Sequence, residues 1–139
     1  LYGLSDAGAH VGTICDASTT TYLMTRWGHP ITDGGLGIER VIEMLTRRNA
    51  RHMGLNDRGE IAVGLRADLN LIDPSRLDTG EPQIVRDLPA GGRRLLQKGE
   101  GYLGTWVAGQ AVARHGEVTS ARPGRLVRLS ADSSRSRSR

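Results

Sequence analysis

The chain has 139 residues, one ordinary domain's worth, and no apolar run near the ~20 residues that span a bilayer. Its net charge of +4 comes from 19 Lys and Arg against 15 Asp and Glu, but Arg128, Arg135, Arg137 and Arg139 crowd the last dozen positions and leave the body close to neutral. With no Phe and only five Trp and Tyr, an aromatic stacking platform for single-stranded nucleic acid is excluded, and the lone Cys15 has no partner for an internal disulfide.

Leu1–Leu4 reads as the inside of a strand, and the absence of an initiator Met suggests a chain cut from a longer one. The strand ends in Ser5-Asp6-Ala7-Gly8-Ala9-His10, a carboxylate followed at once by small residues that permit a sharp turn. A carboxylate at a strand's C-terminal end, before a loop and a helix, is where a (β/α)8 barrel places a catalytic group. The same pattern also fits an aspartate that caps a turn. His10 can orient Asp6 or hold a substrate, or it can be a loop histidine bonded to backbone. Cys15 reads as a small apolar residue rather than a ligand. Arg26 and Trp27 can line a substrate mouth or stack on one another.

After a long Gly/Thr-rich loop, Ile38, Val41, Ile42 and Leu45 recur at i, i+3, i+4 and i+7, which predicts an amphipathic helix. Glu39 and Glu43 near its start and Arg47 and Arg48 near its end suit the helix dipole. A second short turn is expected over Ala50–Met53, capped by Gly54. Asn56-Asp57-Arg58-Gly59 is a turn, and Ile61–Val63 a short apolar segment. Ala67, Leu69 and Leu71 alternate with Asp68 and Asn70 up to Asp73-Pro74, as in a strand. Ser75 to Gly101 reads as an irregular covering loop. Leu103–Val107 and Ala111–Ala113 flank Ala108-Gly109-Gln110 as a hairpin, with His115-Gly116 starting another turn. His29, His52 and His115 are expected to be solvated. Ser130–Arg139 has no apolar periodicity and is expected to be a disordered tail, solvated rather than bound to phosphates.

Ser5-Asp6-x-Gly8-Ala9-His10, Cys15-Asp16-Ala17-Ser18, Thr21-Tyr22-Leu23 and Arg26-Trp27 together resemble the last barrel strand of the amidohydrolase superfamily, in the branch around N-acyl-D-amino-acid deacylases. The resemblance continues through Gly54-Leu55-x-Asp57-Arg58-Gly59-x-Ile61-x-x-Gly64-x-x-Ala67-Asp68-Leu69 and Asp87-Leu88-Pro89-Ala90-Gly91-Gly92-Arg93-Arg94, and on to Val107-x-Gly109. It covers Leu1 to about Arg128. It implies a final barrel strand, loop and helix over 1–55, C-terminal strands of a small β-sandwich over 56–128, and a tail over 129–139. It also implies hydrolysis of an amide, that of an N-acyl-D-amino acid, with a cyclic-amide hydrolase of the dihydropyrimidinase or hydantoinase kind as the alternative.

On this resemblance Asp6 is both a metal ligand and the catalytic proton shuttle, beside one or two divalent metals, usually zinc. His10 and Arg26 are candidate substrate or supporting groups. The family's other ligands, a His-x-His pair, a bridging residue and two further histidines, have no counterpart here. The chain alone is therefore expected to bind no stoichiometric zinc and to show no amidase activity. A non-catalytic remnant or oligomerising module is the rival of another class. A small-molecule amide is the expected partner, with no membrane, a cytoplasmic location, and self-association through uncovered apolar surface. Two positions depart from the family pattern: Ala7 stands where Gly is usual, and Asn49 where a Pro commonly opens the short helix.

Overall fold

The structure is a computed structural model, and it describes residues 15–128 together with Gly3, Gly12 and Thr13. The expected opening strand lies outside the described residues apart from Gly3, as does the tail from residue 129.

The first described element is a 3-10 turn, Asp16–Ser18, that runs directly into α1, Thr19–Trp27. This helix occupies part of what reads in the sequence as loop. Its sequence TTTYLMTRW is rich in β-branched residues with modest helix propensity, so local preference does not explain it. Tertiary contact does. Ser18, Thr21 and Met24, spaced by three, form its buried stripe. The helix ends at Gly28, and the chain turns back through a 3-10 turn at Ile31–Asp33, held by bonds from Leu36 N–H to Trp27 O and from Gly37 N–H to His29 O.

The predicted amphipathic helix is present and longer than expected. α2, Ile38–Glu43, passes into a π-helical stretch, Met44–Arg48, and then into α3, Asn49–His52, without leaving helical geometry. What looked like a separate second turn is the same rod beyond a wider turn, which shifts the face presented by later residues. Val41 and Ala50 are its buried contacts, and α2 packs on α1. The Gly54 cap is as expected: Leu55 N–H reaches Ala50 O, Gly54 N–H reaches Arg51 O, and Gly54 has a φ of 70°. These are the two bonds of a Schellman motif.

The loop after the helix crosses back over it at Gly59. A Cβ there would lie 2.8 Å from the Ala50 Cβ and 3.1 Å from the Arg47 Cα, and φ is 94°. Only glycine allows so close a crossing. Ile61–Val63 forms no strand, and both terminal side chains are exposed, Ile61 at 88%.

Eight strands follow: β1 (Leu69–Ile72), β2 (Asp78–Thr79), β3 (Gln83–Val85), β4 (Arg94–Leu96), β5 (Gly99–Glu100), β6 (Tyr102–Val107), β7 (Gln110–Arg114) and β8 (Glu117–Val118). One antiparallel sheet has the order β1-β6-β7-β8. Its hairpins β6–β7 and β7–β8 use two-residue turns, Ala108-Gly109 and His115-Gly116, with positive φ at all four positions. That is the signature of turns whose twist matches the strands. On one face of the sheet Leu69 lies opposite Trp106, and the Trp106 ring covers the space above Gly104, where a Cβ would come within 2.5 Å of it.

The expected loop over Ser75–Gly101 is instead a ribbon. β2 pairs with β5 and β3 with β4, one pair nested inside the other, so the segment folds back along itself. Its short strands, two or three residues each, lack the alternation that marks a longer strand. Gly80 N–H to Lys98 O joins the two pairs, and the Asp87–Arg94 ion pair closes the tip with bonds of 2.8 and 2.6 Å.

Candidate functional site

Two polar clusters can be built from the described residues. The first lies where the ribbon meets α1. Ser18 donates to Gln97 Oε1 at 2.5 Å, Gln97 Nε2 donates to Gly80 O at 2.9 Å, and the Thr21 and Tyr102 hydroxyls are 2.8 Å apart. Leu95 N–H donates to Gly12 O at 2.8 Å. Beside these residues lies a cavity of about 300 Å³, to which Ser18, Thr20, Thr21, Gln97, Tyr102 and Thr105 contribute. Among the described residues its lining holds hydroxyl and amide groups and no acidic, basic or histidine side chain, so these residues can bind hydrogen-bonding groups.

The second cluster is Asp57, Arg58, Arg66 and Asp68 of the Asp57-to-Leu69 motif. The Arg58 guanidinium forks onto Asp57 with bonds of 2.8 and 2.9 Å and reaches Asp68 at 3.3 Å. Arg66 Nε lies 2.8 Å from both Asp68 carboxylate oxygens, and Arg66 N–H donates to Asp57 O. Asp68 also accepts from Ala108 N–H at 2.8 Å, at the tip of the β6–β7 hairpin, while Gly109 N–H donates to Ala67 O. The motif is thus a buckle that ties the loop after the helix to the sheet.

The Arg58 hydrogen bond holds the Asp57 carboxyl below its ordinary value, and Asp57 raises Arg58 in turn. Burial pushes Asp68 up, but the Ala108 N–H and the two arginines outweigh it and leave that carboxyl lowered. Arg94 lowers Asp87 in the same manner. Carboxylates held in charge pairs are weaker bases than free ones, and in both motif runs the pairs tie neighbouring segments together.

Asp6 and His10 lie outside the described residues. Arg26 is exposed on α1, its guanidinium 5.0 Å from the centroid of the Trp27 ring. Cys15 is half-buried and free, while His29, His52 and His115 are exposed on separate elements. No three of His, Cys, Asp or Glu come together among the described residues, so these side chains alone do not make up a metal centre. Ser18 and Thr21 stand in the motif runs of the sequence, but their pairing with Gln97 and Tyr102 had no signal there, because the partners lie about 80 residues apart.

Comparison with known proteins settles the lineage. The amidohydrolase family profile matches residues 1–113. The chain belongs to the amidohydrolase family. It is similar to an allantoinase from Solibacter usitatus, 30% identical over 132 residues that cover 87% of this chain and 26% of that protein. An allantoinase from Deinococcus radiodurans is also 30% identical, over 84% of this chain and 25% of its own length. The chain therefore spans about a quarter of the length of the curated relatives it matches. No solved structure matches it significantly. No helix among the described residues is long and apolar enough to cross a membrane.

Proposed function

We propose that the amidohydrolase to which this sequence belongs hydrolyses a C–N bond of a cyclic amide. The observation that carries this reading is the family match over residues 1–113 together with two relatives, each aligned over more than four-fifths of the chain, that are both allantoinases. In this reading residues 1–55 are the last unit of a barrel and 56–128 the strands of a sandwich beside it. Asp6 is the proton shuttle: its carboxylate takes the proton that an attacking water releases and hands it to the departing nitrogen. A divalent metal, zinc by resemblance, belongs to the reading only with ligands from elsewhere in a longer chain. Arg26 faces solvent at the end of α1 and His10 follows Asp6 by four residues, and either is placed in the sequence to meet a substrate.

Deacylation of N-acyl-D-amino acids is a second reading. It rests on the resemblance of the Ser5-to-His10, Cys15-to-Ser18, Thr21-to-Leu23 and Arg26-Trp27 runs to that branch of the family.

The test uses the full-length, metal-replete protein with a hydantoin-type ring and an N-acetyl-D-amino acid as competing substrates. Ring opening that is lost in Asp6→Asn supports the first reading, and deacylation lost in the same variant supports the second. Hydrolysis of neither would remove the amide-hydrolase reading. The chain of 139 residues assayed alone is expected to be inactive and free of stoichiometric zinc.

A further inference from the structure

The ribbon touches the segment after Asp6 at three places. Leu95 N–H donates to Gly12 O at 2.8 Å, Gln97 Oε1 accepts the Ser18 hydroxyl at 2.5 Å, and the Tyr102 and Thr21 hydroxyls share a hydrogen bond of 2.8 Å. Gly12 and Ser18 follow Asp6 by six and twelve residues. Gln97 is held from behind, since its amide N–H also donates to Gly80 O on the other arm of the ribbon. The approach is close. A Cβ on Gly99 would come within 2.8 Å of Thr21 Oγ1 and 3.0 Å of the Tyr102 ring. Ser18 and Thr21 are both buried, Thr21 to 3% exposure, and Gln97 and Tyr102 are half-buried.

We infer that the ribbon from Arg94 to Tyr102 is a positioning strap for the segment that follows Asp6, with Gln97 as its central positioning residue. The inference rests on the reading of Asp6 as the proton shuttle. A shuttle works only within hydrogen-bond reach of its substrate, and a misplacement of about 1 Å can cost about a hundredfold in rate. Residues 12–21 carry almost no charge and little helix propensity of their own, so their placement depends on what holds them. Gln97 suits that task because its amide is used at both ends: the oxygen receives Ser18 and the nitrogen grips Gly80. Methionine matches its length and volume and makes neither bond.

The experiment compares Gln97→Met, Ser18→Ala and the double variant in the full-length, metal-replete protein. It reads kcat and KM separately, together with hydrogen exchange of the amides of residues 12–21. Ser18 makes no side-chain capping bond to α1, so Ser18→Ala removes only the Gln97 contact. The expected result is a kcat lower by about tenfold with KM changed less than about twofold, and faster exchange at residues 12–21. The double variant should be no worse than Gln97→Met alone, because the bond that Ser18→Ala removes is already absent there. Gly99→Ala, whose Cβ would press on Thr21 and Tyr102 and wedge the strap away from α1 with Gln97 and Ser18 intact, should give the same exchange pattern. A lowered melting temperature with kcat and exchange at residues 12–21 unchanged would overturn the inference. Asp6→Asn separates the two readings. If that variant keeps full activity the shuttle assignment fails, while the exchange measurement still reports whether the strap holds the segment.

Discussion

Asp68 shows how much one side chain can organise. It receives Ala108 N–H and Arg66, and it lies 3.3 Å from Arg58, so it joins a loop, a strand entry and a hairpin tip. Asp68→Ala strands an amide donor and two guanidinium groups in a partly exposed setting. The expected cost is about 1–2 kcal/mol, read from urea unfolding. A loss below about 0.3 kcal/mol would mean that water replaces the carboxylate without penalty.

The same residue has a pH signature. Asp57, Asp68, Asp73 and Asp87 all have carboxyls lowered from the ordinary 3.8. The native state therefore binds fewer protons than the unfolded chain in that range. The stabilisation from these groups is fully present above the ordinary carboxylate value and is lost as pH falls through the lowered values. Acid titration of the fold should show stability declining below about pH 4, and Asp68→Asn should flatten that decline. An unchanged acid limb in the variant would show that Asp68 is not one of the groups responsible.

At the scale of elements, backbone conformation and close approach set the sensitive positions. Gly59 combines a φ of 94° with a crossing over Ala50 and Arg47, so Gly59→Ala meets both strain and collision. The expected loss is about 2–3 kcal/mol, visible as a melting temperature lower by several degrees. Ala108 is the reverse case. It occupies the left-handed region with a φ of 48° at the first position of a two-residue hairpin turn, where Asn or Gly is preferred. Its side chain makes no required contact, and its N–H bond to Asp68 survives substitution. Ala108→Asn should therefore raise stability by about 0.5–1 kcal/mol, and a lower melting temperature would contradict the turn assignment.

At the scale of the whole molecule, the apolar residues are unevenly covered. Among the described residues only Met24, Val41 and Ala50 are buried apolar side chains, while Tyr22, Ile31, Leu36, Leu71, Ile84 and Val118 stand open to solvent. A chain that spans about a quarter of its curated relatives and leaves this much apolar surface should associate when made alone. Sedimentation velocity of the isolated chain over a hundredfold concentration range should show concentration-dependent oligomers. A single monomeric species with a cooperative melt throughout would mean that the exposed side chains form no adhesive patch.

The sequence by itself determined the helix at α2, the Gly54 cap, β1 and the β6–β7 hairpin, because each is written in neighbours a few residues apart: a 3.6-residue period, a glycine after a helix, an alternation, a glycine turn; of the expected stripe, Val41 is buried but Ile42 is exposed. It also carried the family, through Asp57-Arg58-Gly59 and Ala67-Asp68-Leu69. Only the tertiary structure decided what those motif residues do, since the buckle needs Asp68 and Ala108 side by side across 40 positions. The same holds for α1 and the ribbon of β2 to β5. Their local propensities are weak, their strands are short, and they exist because Thr21 meets Tyr102 and Ser18 meets Gln97 across about 80 residues. Contacts of that separation leave no periodic trace in a single sequence, which is why the packing of the ribbon on α1 became legible only once the chain was folded.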